Sequence, residues 1–278
     1  MDVTKLLIEL VAGFAAGVFA GMTGAGGGIL LVPILVFLGL PPLAATGTSN
    51  VAISVSAASG TWLNTRKFAL PWRQVLTLAV PAVVLAPLGV LLAERISAQV
   101  LLIAFAGFNF ISIGLLQLKL RVAAQVPLAE DAEATSEDAE ATSEDADATP
   151  EEGQPPTGHL APAVATGASG GLLAGLFGVG GGLIMVPLQV LLLATPIRMA
   201  SRISLGVVLF SSVSAVITHQ LSGSGLQWVT GLTIAIAGLF GAPLGARWLH
   251  RFTDRQSTRL IQVTMAVVAV SFLWRALN

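Results

Sequence analysis

Cysteine and tyrosine are both absent from the 278 residues, and charged side chains make up only 10% of them. Without cysteine there are no disulfides, thiolate metal sites or thiol nucleophiles. Without tyrosine, the five tryptophans are left as the polar-tipped aromatics of a membrane–water interface. A soluble domain carries about a quarter charged residues, so the shortage of charge excludes an ordinary soluble globular protein. Apolar residues are plentiful instead, at 54% of the chain with a mean hydropathy of +0.83. Thirty glycines suit closely packed membrane helices.

The formal net charge of −1 hides a division. Eleven of the fifteen acids lie between Glu130 and Glu152, a stretch without Lys or Arg. The rest of the chain sets four acids against fourteen bases, a charge of +10. Residues 130–150 read EDAEATS, EDAEATS, EDADATP, a seven-residue repeat. A coiled coil needs apolar a and d positions, and Ala is the only apolar residue here. Such a segment cannot bury enough surface to offset its ordering entropy, so a disordered tether is expected. Pro127, Pro150, Pro155 and Pro156 flank it.

Apolar runs of about 20 residues, enough to cross a bilayer as helix, recur at 4–22, 43–63, 72–93, 98–118, 160–177, 203–221, 226–246 and 258–276. Two shorter runs, 29–39 and 182–194, read as half-helices or re-entrant pieces. Asp2, Lys5 and Glu9 stand where a signal peptide has a basic region, so the first run is expected to be a mature helix.

The chain repeats itself across the acidic stretch. Gly21-MTGAGGGILLV-Pro33 aligns with Gly175-LFGVGGGLIMV-Pro187, identical at seven of thirteen positions. Pro41 faces Pro196, Ser49 faces Ser204, and Trp72 faces Trp228. Ala86-Pro87-Leu88-Gly89 returns as Ala242-Pro243-Leu244-Gly245. The pattern divides the chain into a first membrane repeat (1–121), an acidic linker (122–158) and a second repeat (159–278).

Charge placement orients the repeats. Arg66, Lys67 and Arg73 crowd one loop of the first half, while its counterpart, His219 to Gly225, has no Lys or Arg. At the next loop the first half has Glu94 and Arg95, and the second has Arg247, Arg251, Arg255 and Arg259 with Asp254. Basic loops stay in the cytoplasm. Equivalent loops thus fall on opposite sides, which requires inverted halves and an odd number of segments in each. The fold expected is an all-α membrane protein of about ten helical segments in two inverted repeats of five. The linker falls inside, as do Arg198 and Arg202, and both termini fall outside.

Each half places G-x-x-G-x-G-G-G between a long apolar run and a short one. A dinucleotide-binding G-x-G-x-x-G begun at Gly24 would need glycine at Ile29, and no Lys stands where a P-loop needs one. Two readings remain: close helix packing, and a break in the helix. Consecutive glycines unwind at little steric cost. Non-helical backbone at membrane depth must lie inside protein or beside a watery cavity. The short helix after each break would then aim its N–H groups and positive dipole end at that cavity. Two such breaks in inverted halves are the expected site for an anion in a transporter.

The paired G-x-G-G-G-x(4)-P motifs, in two similar halves around a variable central loop, resemble the TauE/SafE sulfite-exporter family of bacterial membrane proteins. The resemblance implies a secondary transporter, an exporter of sulfite, sulfonates or related anions across the inner membrane. One departure is that Thr46-Gly47-Thr48-Ser49 becomes Ser201-Arg202-Ile203-Ser204, which puts an arginine opposite Gly47.

Polar groups inside spans tend to mark pathways. The candidate substrate-binding residues are Thr23, Gly24, Gly26, Gly27, Gly28, Thr48, Ser49, Asn50 and Asn109, then Gly178, Gly180, Gly181, Gly182, Ser201, Arg202 and Ser204. Hydroxyls and amides donate to oxyanions, although Ser and Thr in membrane helices also bond their own backbone. Asn109 could instead join two helices. Arg202 could clasp an oxyanion or only set topology, as Arg198 does. Buried carboxylates are nearly absent, and Glu9 and His219 lie near span ends, so transport driven by the anion gradient and membrane potential is expected over a carboxylate relay. Neither a cofactor, a metal nor a nucleic acid is implied; the partners expected are a small anion and the lipid bilayer. Two other classes compete with a transporter. One is an intramembrane hydrolase using Ser169, in Gly-Ala-Ser-Gly, with His219 as base. The other is a membrane scaffold acting through the acidic linker.

Overall fold

The structure, a computed structural model, describes residues 3–23, 28–67, 70–125, 160–249 and 254–277. The described residues form ten helices and no strand. The first half holds α1 (Val3–Thr23), α2 (Gly28–Phe37), α3 (Pro42–Lys67), α4 (Trp72–Arg95) and α5 (Ala98–Gln125). The second holds α6 (Leu160–Phe177), α7 (Gly182–Leu193), α8 (Ile197–Ser222), α9 (Trp228–Leu249) and α10 (Asp254–Leu277). Each apolar run has become one helix. The ends differ by a few residues: α8 begins at Ile197 rather than 203, which puts Arg198 and Arg202 on its first turns. Helix α5 continues to Gln125, four residues into the stretch assigned to the linker. The acidic repeat, Gly24, Gly26 and Gly27 lie outside the described residues.

Eight helices are 18 to 28 residues long, and α4, α6, α8 and α9 contain stretches both long and apolar enough to cross a membrane. At 1.5 Å per residue, α2 and α7 reach only about 15 and 18 Å, short of a hydrocarbon core of about 30 Å. Both carry an internal proline at the same place, Pro33 and Pro187. A proline there withholds one N–H from the helix and leaves a carbonyl open one turn earlier.

The halves interlock. Helix α1 packs along α9, and α4 along α6, so the first helix of each half lies on the fourth helix of the other. Helices α3 and α8 pack on each other, as do α5 and α10. Small residues make the close crossings possible. Gly13 and Gly17 lie on the backbone of Ile234 and Gly238, and Gly245 on that of Val18. At the equivalent crossing, Gly167 and Gly171 lie on the backbone of Leu78 and Ala82, and Gly89 on that of Leu172. These are the same three contacts with the halves exchanged, at the sequence offsets of the repeat. A side chain at any of them would meet main chain, which cannot yield as a side chain can.

The opposite face of each crossing is apolar and exposed. Leu76, Val80, Val84 and Leu88 run along α4, and Leu232, Ile236, Phe240 and Leu244 occupy the matching positions on α9. Residues spaced by four fall on one helix face, and an apolar face with no protein against it suits lipid. Trp72 and Trp228 open α4 and α9, both half-exposed, and the Trp228 indole donates to Gln220 Oε1 at 2.7 Å. Arg66 stacks on the Trp62 ring, 3.9 Å from its centre.

Candidate functional site

Helix α6 ends at Phe177, and the next four residues leave helical geometry. Gly178, Gly180 and Gly181 have φ of 64°, 80° and 71°, a region that L side chains seldom adopt. Gly181 caps α7, and the N–H groups of Ile184 and Met185 bond back to its carbonyl at 3.2 and 3.1 Å. The run of glycines therefore both breaks the helix and packs tightly. A Cβ on Gly178 would come within 2.6 Å of Thr46 backbone, and one on Gly180 within 2.9 Å of Ile53.

The first glycine motif reaches the second. A Cβ on Gly28, where α2 starts, would lie 2.7 Å from the carbonyl oxygen of Val179, in the middle of the other break. Residues about 150 apart in sequence are thus brought into contact, and both are buried.

Helix α3 holds the second break in place. Ser49 Oγ donates to the carbonyl of Gly178, and Asn50 Nδ2 donates to that of Ala174 at 3.1 Å. Thr48 Oγ1 accepts the Gln227 backbone N–H at 3.1 Å, which ties the start of α9 to the same turn. Thr48, Ser49 and Asn50 are fully buried, and Asn50 Oδ1 has no partner. An unpaired buried carbonyl costs about 1–3 kcal/mol; Asn50 Oδ1 is an acceptor and offers no hydrogen to an oxyanion. Aromatic rings of α5 close one side: Phe108 lies 4.9 Å and Phe105 5.6 Å from the Phe177 ring, just before the break.

The second half does not copy this arrangement. Ser204, the counterpart of Ser49, accepts from Gln189 Nε2 at 2.7 Å. Gln189 is a buried amide on an otherwise apolar α7, and its Oε1 has no partner. The first half has Leu35 at that position. Asn109 turns its Nδ2 to Phe105 O of its own helix at 2.8 Å and joins none of these residues through that group. Ser201 and Arg202 are half-buried on the first turns of α8.

The sequence of residues 9–272 matches the model of the family "Sulfite exporter TauE/SafE". The chain belongs to this family. A "Probable membrane transporter protein" of Xylella fastidiosa is 27% identical over 281 residues, which cover 99% of this chain and 98% of the relative. A second, YunE of Bacillus subtilis, is 24% identical, with 98% and 99% covered. A third, from Methanocaldococcus jannaschii, is 22% identical, with 96% and 95% covered. No solved structure matches. Membership of the TauE/SafE family makes the protein a multi-pass membrane transporter and not an enzyme.

The competing hydrolase reading also fails on geometry. Ser169 Oγ donates to Thr166 O of its own helix at 2.9 Å, while His219 Nδ1 pairs with Ser224 Oγ at 2.8 Å. A nucleophile and its base should instead bond each other.

Three groups of this TauE/SafE transporter stand out that sequence reasoning did not assign to the site. The His219 ring packs 3.0 Å from where a Gly47 Cβ would be, with its Nε2 buried and unpartnered. Gln189 is the second. The third is a chain of oxygens on α1 and α9: Thr230 Oγ1 lies 2.9 Å from Glu9 Oε1 and 3.0 Å from Gln227 Oε1. Glu9 is 2% exposed although it lies near the end of its helix. Glu9, His219 and Thr230 sit within two turns of helix ends, where a polar residue ordinarily reads as solvated.

Proposed function

We propose that this transporter moves small sulfur-containing or organic anions, such as sulfite or sulfonates, across the bacterial inner membrane. The observation that carries the reading is the meeting of the two glycine motifs at Gly28 and Val179. Backbone N–H groups at the N-termini of α2 and α7 attract an oxyanion through hydrogen bonds and the positive end of the helix dipole. Ser49 and Asn50 of α3 give their donors to the Gly178 and Ala174 carbonyls and so hold the second break in position for an anion, with Arg202 at the corresponding turn of α8. Backbone N–H groups bind an anion without bringing a fixed charge of their own, so release from them costs less than from a salt bridge.

Rocking of the two interlocked halves about this point supplies alternating access. The inverted orientation explains the basic loops at non-equivalent places in the two halves. It sets the acidic linker in the cytoplasm and both termini in the periplasm. The family name supports sulfite as the first anion to try, and export as the first direction.

The test is uptake and counterflow of radiolabelled sulfite by purified protein in liposomes, competed by thiosulfate, sulfate, taurine and acetate. Counterflow blocked by sulfonates and not by acetate is expected. Acetate competing as well as sulfite would remove the sulfur-oxyanion assignment.

A further inference from the structure

The hydrogen bonds that link Glu9, Thr230 and Gln227 can run in either direction. Thr230 has one hydroxyl proton, yet its Oγ1 lies 2.9 Å from Glu9 Oε1 and 3.0 Å from Gln227 Oε1. Both neighbours are acceptors if Glu9 is ionised. Every link is satisfied when Glu9 carries a proton: the carboxyl donates to Thr230, and Thr230 donates to Gln227. With Glu9 ionised, the Gln227 amide must turn so that Nε2 donates to Thr230 and the hydroxyl donates to the carboxylate. The direction of the chain therefore depends on one proton.

Glu9 is also reachable. An open pocket of about 540 Å3 is lined by Lys5, Leu6, Glu9 and residues 227–230. Lys5 and Glu9 are the charged groups among those lining residues, with Lys5 Nζ 3.9 Å from Glu9 Oε1 and half-exposed. Helix α9 brings the neutral Gln227 and Thr230 to the pocket, and α2, which also packs on α1, has no charged residue. Helix α10, in slighter contact with α1, contributes no lining residue. The pocket thus leads to a carboxylate that is otherwise buried.

The far end of the chain touches the candidate anion site. The Gln227 backbone N–H donates to Thr48 Oγ1, and the next residue, Ser49, holds the Gly178 carbonyl. We propose that Glu9 is the proton-binding site that couples transport to the pH gradient. A proton adds to a Glu9 carboxylate oxygen from the pocket, the carboxyl becomes neutral, and the Gln227 amide reverses. That reversal, on the residue whose N–H holds Thr48, biases the glycine break between two arrangements. Coupling requires that alternating access then opens Glu9 to the opposite compartment, where the proton leaves to water and the carboxylate is restored. This replaces the expectation of transport without a carboxylate, and it rests on the transporter reading above.

Infrared pH titration of the purified full-length protein tests the site without any substrate. The spectrum of wild type minus Glu9→Gln should show the carbonyl stretch of a protonated carboxyl that is lost as the pH is raised. Thr230→Val should shift that band, and Thr230→Ser should restore it. No such band at any pH at which the protein stays folded would overturn the proposal. In liposomes, Glu9→Gln should lose accumulation of labelled sulfite driven by a pH gradient while keeping counterflow. Gradient-driven accumulation that survives Glu9→Gln would also overturn it. Absence of sulfite counterflow in wild type would instead reject sulfite as substrate, leaving the infrared result to decide the proton site.

Discussion

Gly28 lies so close to Val179 that a Cβ on it would come within 2.7 Å of the Val179 carbonyl oxygen. The two glycine motifs, one in each half, are in this way parts of a single centre. A methyl group at Gly28 should therefore disturb both halves. Gly28→Ala is expected to lower stability by about 1–3 kcal/mol through overpacking and to abolish transport. Gly107→Ala, whose Cβ would meet nothing within 4 Å, should stay within about 0.5 kcal/mol of wild type. Thermal unfolding of the two variants in one detergent, with a transport assay beside it, makes the comparison.

Gly178 adds a backbone cost to the steric one. Its φ of 64° is left-handed, and a Cβ there would strike Thr46. Gly178→Ala should combine about 1–2 kcal/mol of conformational cost with overpacking, and so be worse than Gly28→Ala. If the two lose equal stability, the positive φ carries no weight.

Ser49 and Asn50 differ in what they bond. Ser49→Ala frees the Gly178 carbonyl and should cost about 1–3 kcal/mol for a buried acceptor left unpaired. Asn50→Leu removes the donor to Ala174 and also the unpartnered Oδ1. Its loss of transport should exceed its loss of stability, as read from initial rates in liposomes and from melting temperatures.

The interlocked crossings predict that neither half is stable alone. Fragments 1–125 and 160–278, expressed separately, should be degraded, and expressed together should co-purify. Gly17→Leu, which drives a side chain into Gly238 backbone, should abolish that association. Deletion of residues 130–150 should leave transport unchanged, since the contacts between the halves run through helices. Ser169→Ala should also leave it unchanged, because its hydroxyl bonds Thr166 one turn back.

Much of the architecture was legible because it rests on long apolar runs and an internal repeat. The offset between Gly21 and Gly175 anticipated equivalent helices, and the contacts of Gly89 with Leu172 and Gly245 with Val18 keep that offset. Which helices would touch was not legible. Gly13 and Gly17 could have packed on any helix with a small face, and only three dimensions show that the partner belongs to the other half. Ser49 and Asn50 could be singled out as costly polar groups in a span, but not their acceptors, the carbonyls of Gly178 and Ala174 at the end of α6. Glu9, Gln189 and His219 were harder. Each is a single polar residue whose meaning depends on what faces it, and Thr230, Ser204 and Ser224 lie on other elements or beyond a turn.

The most direct test of a shared centre is equilibrium binding of labelled sulfite to the purified transporter, wild type beside Gly28→Ala and Gly181→Ala. One saturable site per chain is expected, lost in both variants although the substitutions lie in different halves. Two independent sites, each removed by only one substitution, or binding untouched by either, would contradict a single anion site at the meeting of the two breaks.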